Sequence, residues 1–101
     1  MSITTSPLSD GEYAIALGET FDFNCVDEFR RSYESVSASL VSQFSIDFRK
    51  THFMDSSALG MLINMQKHWG DKGVEIRIIN ANAQVKKLFS ISRLDKKFSI
   101  E

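Results

Sequence analysis

The chain has 101 residues, 43% hydrophobic and 25% charged, with a formal net charge of −1, which is the make-up of one soluble globular domain with a single core. Near-neutrality argues against nucleic acid as a partner, and the longest apolar run, Ala58 to Ile63 across Gly60, is far short of the ~20 residues of a membrane span, so no direct membrane insertion is expected. Cys25 stands alone, which excludes an internal disulfide and suits a reducing compartment, while Met1 to Pro7 carries no signal-peptide pattern, so the expected location is cytoplasmic.

Residues 1–12, rich in Ser, Thr, Asp, Pro and Gly, read as a loosely ordered lead-in, with the folded domain over 13–101. Tyr13-Ala14-Ile15-Ala16-Leu17 alternates as a strand does, Gly18-Glu19-Thr20 turns the chain, and Phe21-Asp22-Phe23 is short enough for a brief second strand. Asn24 then opens a helix, with Asp27 three positions on in capping-box spacing. Val26, Phe29, Tyr33, Val36 and Leu40 form its apolar face, and Arg30 and Glu34 stand four apart for an ion pair on the solvated side. Phe44-Ser45-Ile46-Asp47-Phe48 is a strictly alternating strand, after which Phe53-Met54 returns the chain to the core.

Residues 56–70 carry the second helix. Spaced at 100° per residue, Leu59, Leu62, Ile63, Gln66 and Trp69 gather on one side, and Ser57, Met61, Asn64, Met65 and His68 on the other. Two methionines on the side away from the apolar stripe admit two readings. Either a second layer covers them, or Met61 and Met65 form an adaptable partner-binding strip leading from Ser57. Gly73 ends the helical region, Val74 to Ile79 is a strand, and Asn80-Ala81-Asn82 turns into a third helix with Val85, Leu88 and Phe89 inward and Lys86 and Lys87 outward. Phe98-Ser99-Ile100 closes the chain as a strand. The second half thus alternates strand and helix with short connections, which implies parallel strands with right-handed crossovers in an α/β layered domain.

The corner His52-Phe53-Met54-Asp55-Ser56-Ser57 joins a strand to the second helix, and sites in such folds favour loops at the C-terminal ends of strands. Asp55 and Ser56 are helix-capping residue types, each able to accept an orphan backbone N–H. A cap accounts for the pair structurally, but not for two serines side by side at the mouth of the helix with a carboxylate before them; from the local residues alone, a capping serine and a modified serine stand level. His52, Asp55 and Ser56 supply the types of a hydrolytic triad, but the glycines of a nucleophile elbow are missing and residues so close along one corner seldom adopt triad geometry, so no catalytic residue is assigned. His52 and His68 stand sixteen apart with Cys25 remote, matching no zinc spacing, and Asn80-Ala81-Asn82 lacks the glycines of a phosphate cradle. Neither a metal nor any other cofactor is expected.

Met54-Asp55-Ser56-Ser57-Ala58-Leu59-Gly60 resembles the Asp-Ser-Ser-Gly-Leu-Gly signature of STAS domains of the anti-sigma-factor antagonist type, and Phe44 to Gly73 with the tail Val85 to Phe89 and Ser92 to Phe98 extends the likeness. Ala58 and Arg93 stand where that pattern has glycine. The resemblance implies a single STAS-like domain: a mixed, mostly parallel sheet of four to five strands with three main helices. It further implies a non-catalytic regulator in a bacterial partner-switching pathway. The unphosphorylated domain would bind a serine kinase or anti-sigma-type regulator, be released by phosphorylation at Ser56, and be reset by a metal-dependent, PP2C-like serine phosphatase. Asp55, Ser57, Ala58, Met61 and Met65 would then be partner-binding, and the output a sigma factor or another response such as stress or biofilm control. Some STAS domains instead serve as structural subunits of membrane lipid-transport complexes, which is the rival reading.

Overall fold

The computed structural model describes residues 3–101. Thr4–Ser9 (β1) and Glu12–Ala16 (β2) pair antiparallel around Asp10-Gly11, where Gly11 takes φ +79° and the hairpin turns on it. A strand therefore occupies much of the stretch read as a loosely ordered lead-in. Its Thr, Ser and Pro composition is that of an exposed edge strand, and Pro7 sits beside a register shift where a missing N–H is tolerated. Thr20–Phe21 (β3) pairs in parallel with Phe53–Met54 (β5) in a small second sheet.

The main sheet has the order β1-β2-β4-β6-β7, with β4 at Gln43–Asp47, β6 at Glu75–Ile79 and β7 at Ser99–Ile100. All its pairings after the hairpin are parallel. Each crossover steps one strand further in the same direction, so the right-handed rule places Val26–Glu34 (α1), Ser56–Gly70 (α2) and Ala83–Ile91 (α3) on a single face. Burial agrees. Ile15, Phe44, Ile46, Ile76 and Ile78 are buried, whereas their strand neighbours Glu12, Gln43, Asp47, Glu75 and Arg77 lie on the polar face. There Arg77 pairs with Glu101, and the Gln43 amide, oriented to suit both neighbours, bridges Glu75 and Arg77. Among the described residues that is the one ion pair, so Arg30 and Glu34 do not close the helical pair their spacing allows.

Aromatic side chains run through the helical layer: Phe29 stacks edge-on to Phe21 at 5.0 Å between centroids, Phe21 reaches Phe48 at 6.1 Å, and Phe48 reaches Phe89 at 5.9 Å. The first helix begins differently from its expected form. Asp22, not Asn24, is the cap, its side chain accepting from the Asn24 N–H at 3.0 Å to start a single 3₁₀ turn that runs into α1. The helix stops at Glu34, so Val36 and Leu40 lie beyond it, and Leu40 is exposed. The Ser-rich Ser35–Ser39 stretch offers the backbone competing hydrogen bonds, which explains the early end.

Candidate functional site

Loops at the C-terminal edge of the sheet are laced together around the Asp55 corner. The Thr51 hydroxyl donates to the Gly18 carbonyl at 2.8 Å, the His52 N–H to the Glu19 carbonyl at 2.8 Å, and the Asn82 amide to the Thr51 carbonyl at 3.2 Å. Thr51 is almost fully buried, so its hydrogen bond stands in a low-dielectric setting that strengthens it. This lacing pins the segment His52 to Met54, and hence the direction from which the chain enters α2.

At the corner itself Asp55 is extended (φ −100°, ψ 178°), and its carboxylate accepts from the Ala58 N–H at 3.0 Å. Asp55 is thus the N-cap, and Ser56 is the first residue of the helix. Ser56 and Ser57 are both exposed, and among the described residues neither hydroxyl has a hydrogen-bond partner. Asp55 meets the capping requirement alone. The Ser56 oxygen is left at the surface, beside the positive end of a fifteen-residue helix.

Three other residues assigned to a partner surface lie elsewhere. Ala58 is 0% exposed, Met61 6% and Met65 0%; all three point into the core. The adaptable methionine strip is therefore corrected to a packing surface. Met61 borders Val26, Phe29 and Tyr33 of α1, so α1 is the second layer that covers this side of α2. A helix with neighbours on two sides buries more than one stripe, and the buried set Ala58, Met61, Leu62, Met65 and Trp69 is rotated from the face inferred from the sequence, leaving Leu59 and Ile63 half-buried. The Ala58 methyl meets the core and not a partner.

His52 is exposed and makes no side-chain hydrogen bond to Asp55 or Ser56, so the three triad residue types do not form a relay. Among the described residues there is no group of three or more His, Cys, Asp or Glu side chains close enough to hold a metal ion, and no helix is long and apolar enough to cross a membrane.

A cleft of about 360 Å³ opens beside the corner, between β5 and α3. Met54 and Val85 are buried at its base, Leu88 is half-buried, and Phe53 and Ile91 stand 53% and 69% exposed at its mouth with Lys87 on the rim. Sequence reasoning missed it. The available signal was Ile91, three residues after Leu88 on α3 and so on the flank of that helix rather than under it.

A family model described as STAS domain matches residues 6–101. The chain belongs to the STAS domain family. A STAS-domain containing protein of Pseudomonas aeruginosa (strain UCBPP-PA14) is 36% identical over 101 residues, covering 99% of both chains. Among solved structures, the anti-sigma factor antagonist SpoIIAA in its unphosphorylated form superposes with a TM-score of 0.78 at 16% identity, covering 99% of this chain and 87% of that one. The phosphorylated form of Bacillus SpoIIAA gives 0.77 at 18% identity, covering 99% and 91%. At these identities the structural likeness establishes a shared STAS fold: a small α/β domain with three helices and a five-stranded, mostly parallel sheet.

Arg93 sits at φ +64° between α3 and the final 3₁₀ turn. That left-handed conformation is one an L side chain adopts only at a steric cost.

Proposed function

We propose that this STAS domain is a cytoplasmic, non-catalytic partner-switching protein whose state is set by reversible phosphorylation of Ser56. One observation carries the reading: Asp55 caps α2 by itself, so the exposed Ser56 hydroxyl has no structural duty and is open to a kinase. Esterified, that oxygen would bear about −1.5 to −2 charges at pH 7. The helix N-terminus favours such an anion by ~0.3–1 kcal/mol, so the fold survives the modification. A partner surface seated over it does not. Leaving a buried charge unpaired at an interface costs ~2–5 kcal/mol, or tens to thousands of fold in affinity.

The unphosphorylated domain binds a serine kinase or anti-sigma-type regulator through Asp55, Ser57 and the surface around them, and a PP2C-like phosphatase resets it. The output is a sigma factor or another response, with stress and biofilm control among the candidates. SpoIIAA, an anti-sigma factor antagonist with both unphosphorylated and phosphorylated forms, supports the reading by analogy of fold. Incubated with its cognate kinase and ATP, the wild-type chain should gain one phosphate by intact mass and Ser56→Ala none. Equal labelling of the two would move the site elsewhere, and no labelling of either would favour a structural subunit of a membrane lipid-transport complex.

A further inference from the structure

The phenylalanines divide between the core and the Ser56 corner. The chain has eight. Phe21, Phe29, Phe44, Phe48, Phe89 and Phe98 are buried, and the other two, Phe23 and Phe53, stand 66% and 53% exposed. Both belong to the small parallel pair that delivers the chain to the corner. Phe53 lies in β5 opposite Thr20, and Phe23 follows the end of β3 by two residues. The two strand ends are built alike. Asp22 caps the 3₁₀ turn through the Asn24 N–H as Asp55 caps α2 through the Ala58 N–H, so Phe23 and Ser56 are the matching first residues of adjacent helical segments. The Asp55 N–H donates to the Phe21 carbonyl at 3.4 Å, which holds the Phe23 and Ser56 Cα atoms at most about 15 Å apart. A first helical position makes no demand for an aromatic side chain, and Asp22 already meets the capping requirement.

We propose that Phe23 and Phe53 are the anchors by which the serine kinase that modifies Ser56 holds this domain, each ring seating in an apolar socket beside the kinase's nucleotide site. The inference rests on the phosphorylation reading above and supplies the contact surface that reading needs. The Ser56 oxygen forms its new bond to the γ-phosphorus of ATP as the bond to ADP breaks, its proton passing to a base of the kinase. The kinase footprint is therefore centred on that oxygen. A standard protein interface takes about 800 Å² from each partner, a patch about 30 Å across. Phe53, three residues from Ser56 and at most about 11 Å away along the backbone, falls inside such a patch, and so does Phe23. Exposed aromatics near the centre of an interface carry much of its affinity, because each buries a large rigid area at one point. The arrangement also accounts for release. A phosphate of about −1.5 to −2 charges keeps its water, whereas rings seat on a dry surface, so esterified Ser56 would hold the sockets off both anchors.

Kinetics on the full chain test this. ATP with a soluble extract of the native cells supplies the kinase, and the initial rate of phosphate gain, read by intact mass, is followed against domain concentration with Ser56→Ala as the blank. Phe23→Ala should raise KM about tenfold and Phe53→Ala about fivefold, with the limiting rate within about twofold of wild type and unchanged circular dichroism. Leu8→Ala removes an equally exposed apolar side chain, 58% exposed on the hairpin at the opposite end of the sheet, and should leave both constants as they are. A wild-type KM in either aromatic variant, a loss confined to the limiting rate, or an equal rise in Leu8→Ala would overturn the proposal. Each of those results requires a labelled Ser56 and so leaves the phosphorylation reading standing. A wild-type chain that gains no phosphate, or no more than Ser56→Ala gains, would overturn both.

Discussion

The Asp55 carboxylate and the Ala58 N–H meet at 3.0 Å, and this bond divides labour at the corner between neighbouring residues. Asp55 holds the first turn of α2, and Ser56, one position on, holds nothing. Removing the cap should therefore cost stability, and removing the hydroxyl should not. Asp55→Ala is expected to lose about 1 kcal/mol, a fall in Tm of about 4–8 °C for a domain of this size, whereas Ser56→Ala melts within a degree or two of wild type. Thermal melts of the two variants decide it. A large loss in Ser56→Ala would show that the hydroxyl is structural after all.

Met61 and Met65 give the second expectation. Both are buried against the core, and Met61 borders α1. Met65→Ala should cost about 2–5 kcal/mol through transfer and cavity terms together, and Met61→Glu should cost at least as much by burying an unpaired carboxylate. Urea unfolding would register this as a lower midpoint at unchanged slope. A Met61→Glu protein of wild-type stability would return Met61 to the surface.

Arg93 holds φ +64°, a conformation in which its Cβ crowds the backbone. Arg93→Gly removes that crowding and should stabilise the domain by about 0.5–1 kcal/mol, the added entropy of the unfolded glycine offsetting part of the gain. Denaturant midpoints of the pair measure it. The reverse is expected at Gly11, φ +79°, where an added Cβ would meet the Ser42 Oγ at 2.7 Å, and Gly11→Ala should destabilise.

Tyr33 sets an alkaline limit. Burial raises its phenol above the ordinary 10.0, the neighbouring Glu34 raises it further, and Arg30 opposes them in part. The folded state thus holds the proton more tightly than the unfolded chain does. Stability is fully present below pH 10 and falls as the pH rises through the higher folded value. In Tyr33→Phe this part of the alkaline decline should disappear, which unfolding curves between pH 9 and about 11 would show. An identical slope in the variant would assign the decline to other groups.

Local signals in the sequence located most of the elements. Strict alternation over Phe44 to Phe48 marked β4, Gly73 marked the end of the α2 region, and the Asp55-Ser56 pair marked its start, because periodicity, capping and left-handed turns are properties of a few consecutive residues. The signature at the corner also led to the STAS family, which the match over residues 6–101 establishes. Edge strand β1 escaped notice because its Thr, Ser and Pro residues are exposed but for a half-buried Thr5 and so leave no apolar alternation to read.

Which side of α2 faces the core was beyond such reasoning. A helical wheel places Met61 and Met65 opposite Leu59 and Ile63, but in the folded domain both methionines are interior, Met61 along the flank that α1 borders, and those aliphatics are half-covered. The cleft is of the same kind, since Phe53 and Ile91 are far apart in the chain and become neighbours only when Asn82 ties the start of α3 to the Thr51 carbonyl. Hydrogen bonds between adjacent residues are encoded where they act, whereas burial depends on what the rest of the molecule brings alongside. For this protein the sequence by itself determined most of the elements, the capped corner and the family, and the tertiary packing decided which side chains are left for a partner to touch.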